Sequence, residues 1–194
     1  MIDKLQIAIE VLNNGGIIIY PTDTAFGIGC RLDNEKAIER LFALRKRPKE
    51  MAMPILVNGL DMAKEYADSI NQEIIDKLIT PFWPGALTIV VKAKSDKISS
   101  LVRGGGATIG LRMPNSKEVL EIINNISVPL LGSSANFHGE STPFSVKELN
   151  QDLVKLADYV LDGECNLRQS STVIDVTKAP WKVLRKGVIE VKIS

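Results

Sequence analysis

Apolar positions along the chain recur with two periods. Leu5, Ala8, Ile9 and Leu12 share one side of a helix that Asp3 can cap and Gly15 stops. Ile17–Tyr20 is then a short, β-branched run held between glycines and Pro21, which reads as a buried strand whose pairing ends at the proline. Asp33 or Asn34 caps a second helix carrying Ala37, Ile38, Leu41 and Phe42, ending near Pro48 because the residue before a proline resists the α region. Pro54–Val57 reads as a strand. Residues 60–80 read as one or two helices, the clearer carrying Ile74, Ile75, Leu78 and Ile79, and Pro81–Gly85 reads as a rigid turn.

The second half continues with strands at Ala86–Val91 and Ala107–Arg112, separated by a loop at 92–106 with scattered basic residues. A helix follows at Ser116–Ile126, a strand at Pro129–Gly132 and a helix near Ser145–Leu156. Strands at Tyr159–Asp162, Thr172–Val176, Lys182–Leu184 and Val188–Ile193 finish the chain. Strands alternate with helices early and cluster without them late. This predicts an α/β (α+β) single domain over residues 1–194, with a twisted mixed sheet flanked by helices.

Bulk composition narrows the function classes only a little. With 194 residues, 45% hydrophobic and 24% charged, the chain is long enough and apolar enough for a substantial core. A net charge of +1 means that any phosphate or nucleic-acid binding must come from local clustering. The longest apolar runs, such as Leu87–Val91, are far too short to span a membrane, and the N-terminal residues do not read as a secretory signal. The two cysteines, Cys30 and Cys165, have no metal-type spacing, so free thiols in a reducing cytoplasm are expected.

Several familiar motifs fail on inspection. Gly27-Ile28-Gly29 meets Leu32 where a dinucleotide loop needs a third glycine. Gly105 and Gly110 have P-loop spacing, but Leu111-Arg112 stands where Lys-Ser/Thr belongs. Asn136 replaces the second glycine of a nucleophile elbow at Gly132–Asn136. The lone His138 lies in a polar loop, where histidines are usually just solvated. Phe82 and Trp83 read as core anchors, since aromatics make up only 5% of the chain and do not interleave with basic residues.

What remains is a set of polar groups at element ends. Thr22-Asp23-Thr24 leaves the first strand directly, and Gly27 and Gly29 let the backbone pass close to something. Arg45-Lys46-Arg47-Pro48-Lys49 closes a helix, where cations either favour the helix dipole or receive an anion such as a triphosphate. Thr108 and Arg112 share one strand face. Ser133–Asn136, Ser170–Thr172 and Arg185-Lys186-Gly187 complete the set.

In this order the pieces resemble the YrdC/Sua5 family, the L-threonylcarbamoyladenylate synthases, in its single-domain form. The matching segments are Tyr-Pro-Thr-Asp-Thr-Ala-Phe-Gly-Ile-Gly (20–29), Lys-Arg-Pro (46–48) with Met-Pro-Ile-Leu (53–56), Trp-Pro-Gly-Ala-Leu-Thr (83–88), Gly-Leu-Arg-Met-Pro (110–114), Ser-Ala-Asn-Phe-His-Gly (134–139), Ser-Thr-Val-Ile-Asp (171–175) and Leu-Arg-Lys-Gly (184–187). The resemblance implies a YrdC-like fold with a basic concave face. It also implies a nucleotidyltransferase that makes threonylcarbamoyl-AMP and pyrophosphate from L-threonine, bicarbonate and ATP with Mg²⁺. Its product would serve threonylcarbamoylation of adenosine 37 in tRNA, by hand-off to the tRNA threonylcarbamoyl transferase machinery. Direct binding of tRNA or double-stranded RNA is a further implied property, and an RNA-binding paralogue with little synthase activity, or a carbamoyl-adenylating relative with another acceptor, is the alternative.

By the same resemblance Thr24, Arg112, Ser134 and Ser171 contact the threonine. Arg45, Arg47, Thr108, Asn136 and Arg185 contact ATP, and Arg45, Arg47 and Arg112 carry the catalytic charge. The chain departs from the family pattern at Arg45, where lysine is usual, at Leu56, where some members have histidine, and at His138, where serine is common.

Overall fold

The computed structural model describes residues 3–192. Its first layer is a four-stranded sheet in the order β7-β2-β1-β8, formed by Ser133–Ser134, Phe26–Gly29, Ile18–Pro21 and Tyr159–Val160. The second is a six-stranded sheet in the order β10-β9-β4-β5-β3-β6, formed by Lys182–Arg185, Thr172–Asp175, Leu87–Lys92, Thr108–Arg112, Ile55–Leu56 and Leu130–Leu131. Both sheets are mixed. β1 is antiparallel to β2 but parallel to β8, and β4 is antiparallel to β5 but parallel to β9.

Period-two alternation explains the first sheet. Ile18 and Tyr20 point into a core shared with helices α1 (Lys4–Asn13) and α6 (Lys117–Ile126), through Ala8, Leu12, Ile122 and Ile123. Ile17 and Ile19 point into the other core, with Phe26, Ile28, Leu87 and Ile174, against helix α2 (Glu35–Leu44). Both faces are covered, which is why this strand reads as an unbroken apolar run. Each fully buried Leu or Ile contributes about 1.5–3 kcal/mol.

Helix starts follow the capping residues. Asp3 accepts from the Leu5 amide at 3.0 Å, Asn34 from Ala37 at 3.0 Å and Ser116 from Val119 at 3.4 Å. Helices α3 (Leu60–Tyr66), α4 (Gln72–Ile74) and α5 (Thr80–Phe82) span the 60–82 region, with a π-helical turn at Ile75–Ile79 between the last two. Trp83 is buried and donates its indole N–H to the Leu87 carbonyl at 2.9 Å, the core role expected of it. Cys30 and Cys165 are both buried and free.

One strand was not expected, and three expectations need correction. Phe26–Gly29 is a strand, because Gly27 and Gly29 leave room for the Tyr20 ring and the Leu131 carbonyl; a Cβ on Gly29 would lie 1.9 Å from that oxygen. Helix α2 ends at Leu44, well before Pro48, because Lys46 takes φ 52°. The helix expected near Ser145–Leu156 divides into a 3₁₀ turn, Val146–Glu148, and α7, Gln151–Leu156, with Asn150 capping the second. No strand forms over 188–192, and Ile193 lies outside the described residues. There Val188 N–H and the Ile189 carbonyl instead bond individually to Ser170 and Thr172.

Gly132 is the corner between the two sheets. It separates β6 from β7, and a side chain there would strike Leu56 at 2.6 Å. The space flanked by this corner is a cavity lined from both sheets.

Candidate functional site

A cavity of about 420 Å³ lies between the sheets. Tyr20, Thr24, Phe26 and Gly27 line it from one sheet, and Leu56, Thr88, Thr108 and Arg112 from the other. Ser133 and Ser134 line it beyond the corner, and Ser171, Val173, Leu184 and Arg185 from the β9–β10 edge. Its charged lining residues are Arg47, Arg112 and Arg185, with no acidic side chain among them. Such a surface suits an anionic ligand with an apolar portion.

The turn after β1 is built around Thr22. Its hydroxyl donates to the Ala25 carbonyl at 2.7 Å and accepts from the amides of Thr24 and Ala25, both at 3.2 Å. Because that proton is committed, the Thr24 hydroxyl donates across the 3.0 Å gap to Thr22 and accepts from Arg112 Nη1 at 2.7 Å.

Arg112, at the end of β5, is 7% exposed. It donates Nε–H to the Gly85 carbonyl at 3.0 Å, and Nη2 pairs with Asp23 Oδ1. Three of its five N–H groups are thus spent on holding the guanidinium still, and two are left for a ligand. Burial pulls its pKa down, and the Asp23 carboxylate opposes that shift.

Ser171 receives the Arg185 side chain, Nη2 on its hydroxyl at 2.9 Å and Nε on its carbonyl at 3.0 Å. The same hydroxyl lies 3.0 Å from Thr88 Oγ1. The close approach of Gly187 to Ser170–Thr172, where a Cβ would fall 2.3 Å from the Ser170 carbonyl oxygen, lets β10 lay Arg185 here.

Arg47 anchors itself to the carbonyls of Met51 and Ala52 and lines both this cavity and a second, more open groove that Lys46, Lys49, Gly104 and Gly105 line. Burial lowers the pKa of both Arg47 and Arg185.

Seven of the nine expected site residues therefore face one cavity: Thr24, Arg47, Thr108, Arg112, Ser134, Ser171 and Arg185. Arg45 and Asn136 do not line it. Arg45 is 2% exposed, with Nε on the Asn136 carbonyl at 3.0 Å, Nη2 on Asn136 Oδ1 at 3.3 Å and Nη1 on the Ser133 hydroxyl. The Asn136 amide is also spent, on the carbonyls of Phe137 at 3.0 Å and Glu140 at 2.8 Å. Desolvation, reinforced by Arg47, pulls the Arg45 pKa down to about 10, so it stays charged at neutral pH. Arg45 and Asn136 thus form a brace behind the cavity wall, with three of the five Arg45 N–H groups engaged on Ser133 and Asn136.

Thr88 and the pairing of Asp23 with Arg112 were not singled out by the sequence. Thr88 faces Ser171 only because β4 and β9 run parallel with Thr88 opposite Val173. The available signal was the alternation along Leu87–Val91, which puts Thr88 opposite in facing to the buried Leu87 and Ile89.

The profile of the Sua5/YciO/YrdC family, described as "Telomere recombination", matches residues 10–187. The chain belongs to the Sua5/YciO/YrdC family. A protein of Pyrococcus abyssi named threonylcarbamoyl-AMP synthase is 31% identical over 185 residues, which is 95% of this chain but 54% of that protein. The chain therefore spans about half the length of that relative. A Methanocaldococcus jannaschii protein named putative threonylcarbamoyl-AMP synthase is 35% identical over 94% of this chain and 84% of its own length. The structure of P. abyssi Sua5 complexed with L-threonine superposes with a TM-score of 0.89 at 30% identity, covering 94% of this chain and 54% of the other. Among the described residues, no helix of this family member is long and apolar enough to cross a membrane.

Proposed function

We propose that this family member is a threonylcarbamoyl-AMP synthase, forming the adenylate and pyrophosphate from L-threonine, bicarbonate and ATP. The observation that carries the reading is the convergence of Arg112, Thr24, Ser134 and Ser171 on the cavity that Arg47 and Arg185 also line. The names of its relatives and the threonine complex of one of them point the same way.

Arg112 offers its two free N–H groups to the threonine carboxylate as a fork. The amine then forms a bond to the carbon of CO₂ derived from bicarbonate and loses a proton, giving a carbamate. A carbamate oxygen attacks the α-phosphorus of ATP, the bond from that phosphorus to the bridging oxygen breaks, and pyrophosphate leaves with the electron pair. Both reactants are anionic, so the protein's contribution is to neutralise and align them. Arg47 and Arg185 supply cations for the polyphosphate, and Thr108 a hydroxyl. Arg45 and Asn136 act through Ser133 and the loop that carries Ser134.

Magnesium enters with the triphosphate as part of that substrate. No carboxylate lines the cavity, and among the described residues no three His, Cys, Asp or Glu side chains gather to hold a metal.

The product would pass to the machinery that modifies adenosine 37 of tRNA. The exposed Lys46 and Lys49 beside Arg47 favour a second reading, an RNA-binding member with weak synthase activity. It predicts salt-sensitive tRNA binding that survives Arg112→Ala. The deciding experiment is mass spectrometry of the product formed from ATP, L-threonine and bicarbonate. Threonylcarbamoyl-AMP with stoichiometric pyrophosphate supports the synthase, and pyrophosphate release independent of threonine or bicarbonate rejects it.

A further inference from the structure

The three arginines lining the cavity do not present the same charge. Arg112 is paired with Asp23, which is 6% exposed and takes one hydrogen bond from the guanidinium. The second oxygen of Asp23, Oδ2, is buried with no donor, so its negative charge is spent on nothing but Arg112. Arg47 and Arg185 donate only to neutral oxygens, the carbonyls of Met51 and Ala52 and the carbonyl and hydroxyl of Ser171. Among the described residues neither has a carboxylate at ion-pair distance. One arginine therefore sits in a neutral pair, and two are uncompensated.

We propose that Asp23 is a specificity-determining residue, cancelling the charge of Arg112 so that its subsite takes the single negative charge of an amino-acid carboxylate and refuses a polyphosphate. The proposal rests on the synthase reading and deepens it. The two free N–H groups of Arg112 still recognise a carboxylate by their fork geometry. Each further negative charge on a ligand adds attraction to Arg112 and repulsion from Asp23, which largely cancel. At Arg47 and Arg185 the same charge adds attraction alone.

A synthase needs this sorting. Its two anionic substrates share one cavity, and either could occupy the other's arginine. Building a penalty against the wrong ligand is a general route to specificity. The backbone carbonyl of Asp23 accepts from the Leu167 amide at 2.8 Å, which holds the main chain that carries the carboxylate.

The test is calorimetric titration with L-threonine and with inorganic pyrophosphate, without ATP. In the wild type, saturating pyrophosphate leaves threonine affinity within about twofold. Asp23→Asn keeps an acceptor for Arg112 but removes the charge, so pyrophosphate affinity rises about tenfold and pyrophosphate now competes with threonine. A folded Asp23→Asn protein with unchanged pyrophosphate affinity overturns the proposal, and so does competition already present in the wild type. A wild type that binds no L-threonine instead fails the synthase reading, and the pyrophosphate arm still tests the charge argument.

If Asp23→Asn does not fold, the wild type alone decides. From 0.05 to 0.5 M NaCl, threonine affinity should change less than about twofold while pyrophosphate affinity falls about tenfold or more. Equal salt sensitivity overturns the proposal.

Discussion

Arg45 grips Asn136 twice across 91 residues of sequence, through the backbone carbonyl and through the side-chain oxygen. With the contact to Ser133 and the bond from the His138 amide to the Arg45 carbonyl, this ties the end of α2 to the loop that carries Ser134. The brace gives the charge at position 45 a structural role.

Arg45→Met should therefore behave as a loop lesion. It leaves the Ser133 hydroxyl and the Asn136 oxygens without their donor, and each buried unsatisfied group costs about 1–3 kcal/mol. Denaturant unfolding should show a loss of about 3 kcal/mol, with faster hydrogen exchange over residues 133–140. Arg45→Lys keeps the charge and three donors, so activity should stay within about tenfold of wild type. An Arg45→Met protein of wild-type stability that had lost only ATP binding would place this side chain on the nucleotide after all.

Arg112→Ala should damage both turnover and stability. Loss of one fixed donor costs about 10²–10³ in rate. The fold suffers too, because Asp23 is left as a buried charge without a partner, which costs about 3–5 kcal/mol. Adding Asp23→Asn should recover most of the stability and none of the threonine-dependent turnover. Thermal unfolding and pyrophosphate release, measured on the single and double variants, separate the two effects.

How far the sequence could be read depends on whether a feature is local. The caps at Asp3, Asn34 and Ser116 were legible because one side chain bonds an amide two or three residues on. The seven polar residues facing the cavity were legible as groups at element ends. The side of the wall on which Arg45 lies was not, because Lys46 at φ 52° reverses the chain between Arg45 and Arg47. β2 was hidden for a related reason. Its glycines signal close approach, but only the fold shows that the Tyr20 ring and the Leu131 carbonyl are what they approach.

Those glycines give a graded prediction. Gly29→Ala sets a Cβ against the Leu131 carbonyl that the Tyr20 hydroxyl also uses at 2.7 Å, in a strand junction with no slack. It should cost about 3 kcal/mol or more. Gly59→Ala meets nothing within 4 Å, and at φ 170° the backbone is ordinary extended chain. It should be neutral or stabilise by about 0.4–1 kcal/mol. Chemical denaturation of both variants, side by side, checks the order, and a Gly29→Ala protein as stable as Gly59→Ala would show that β2 and β6 can move apart.

Alkaline stability should report the buried acids beneath the site. Burial pushes the Cys30 thiol up from 9.0 to about 12, and burial also raises the Tyr20 phenol from 10.0. The folded state therefore keeps protons that the unfolded chain releases. With more protons bound in the folded state, unfolding free energy falls as pH rises. The loss begins near pH 9, where the unfolded thiol ionises, and steepens above pH 10 as Tyr20 joins. Each group contributes a slope of about 1.4 kcal/mol per pH unit while only the unfolded form titrates. Cys30→Ala should remove one group's share of that slope between pH 9 and pH 12, and leave the curve below pH 8 parallel to wild type. Urea unfolding at a series of pH values measures it, and an unchanged alkaline slope in Cys30→Ala would mean that the thiol is reached by water when the protein is folded.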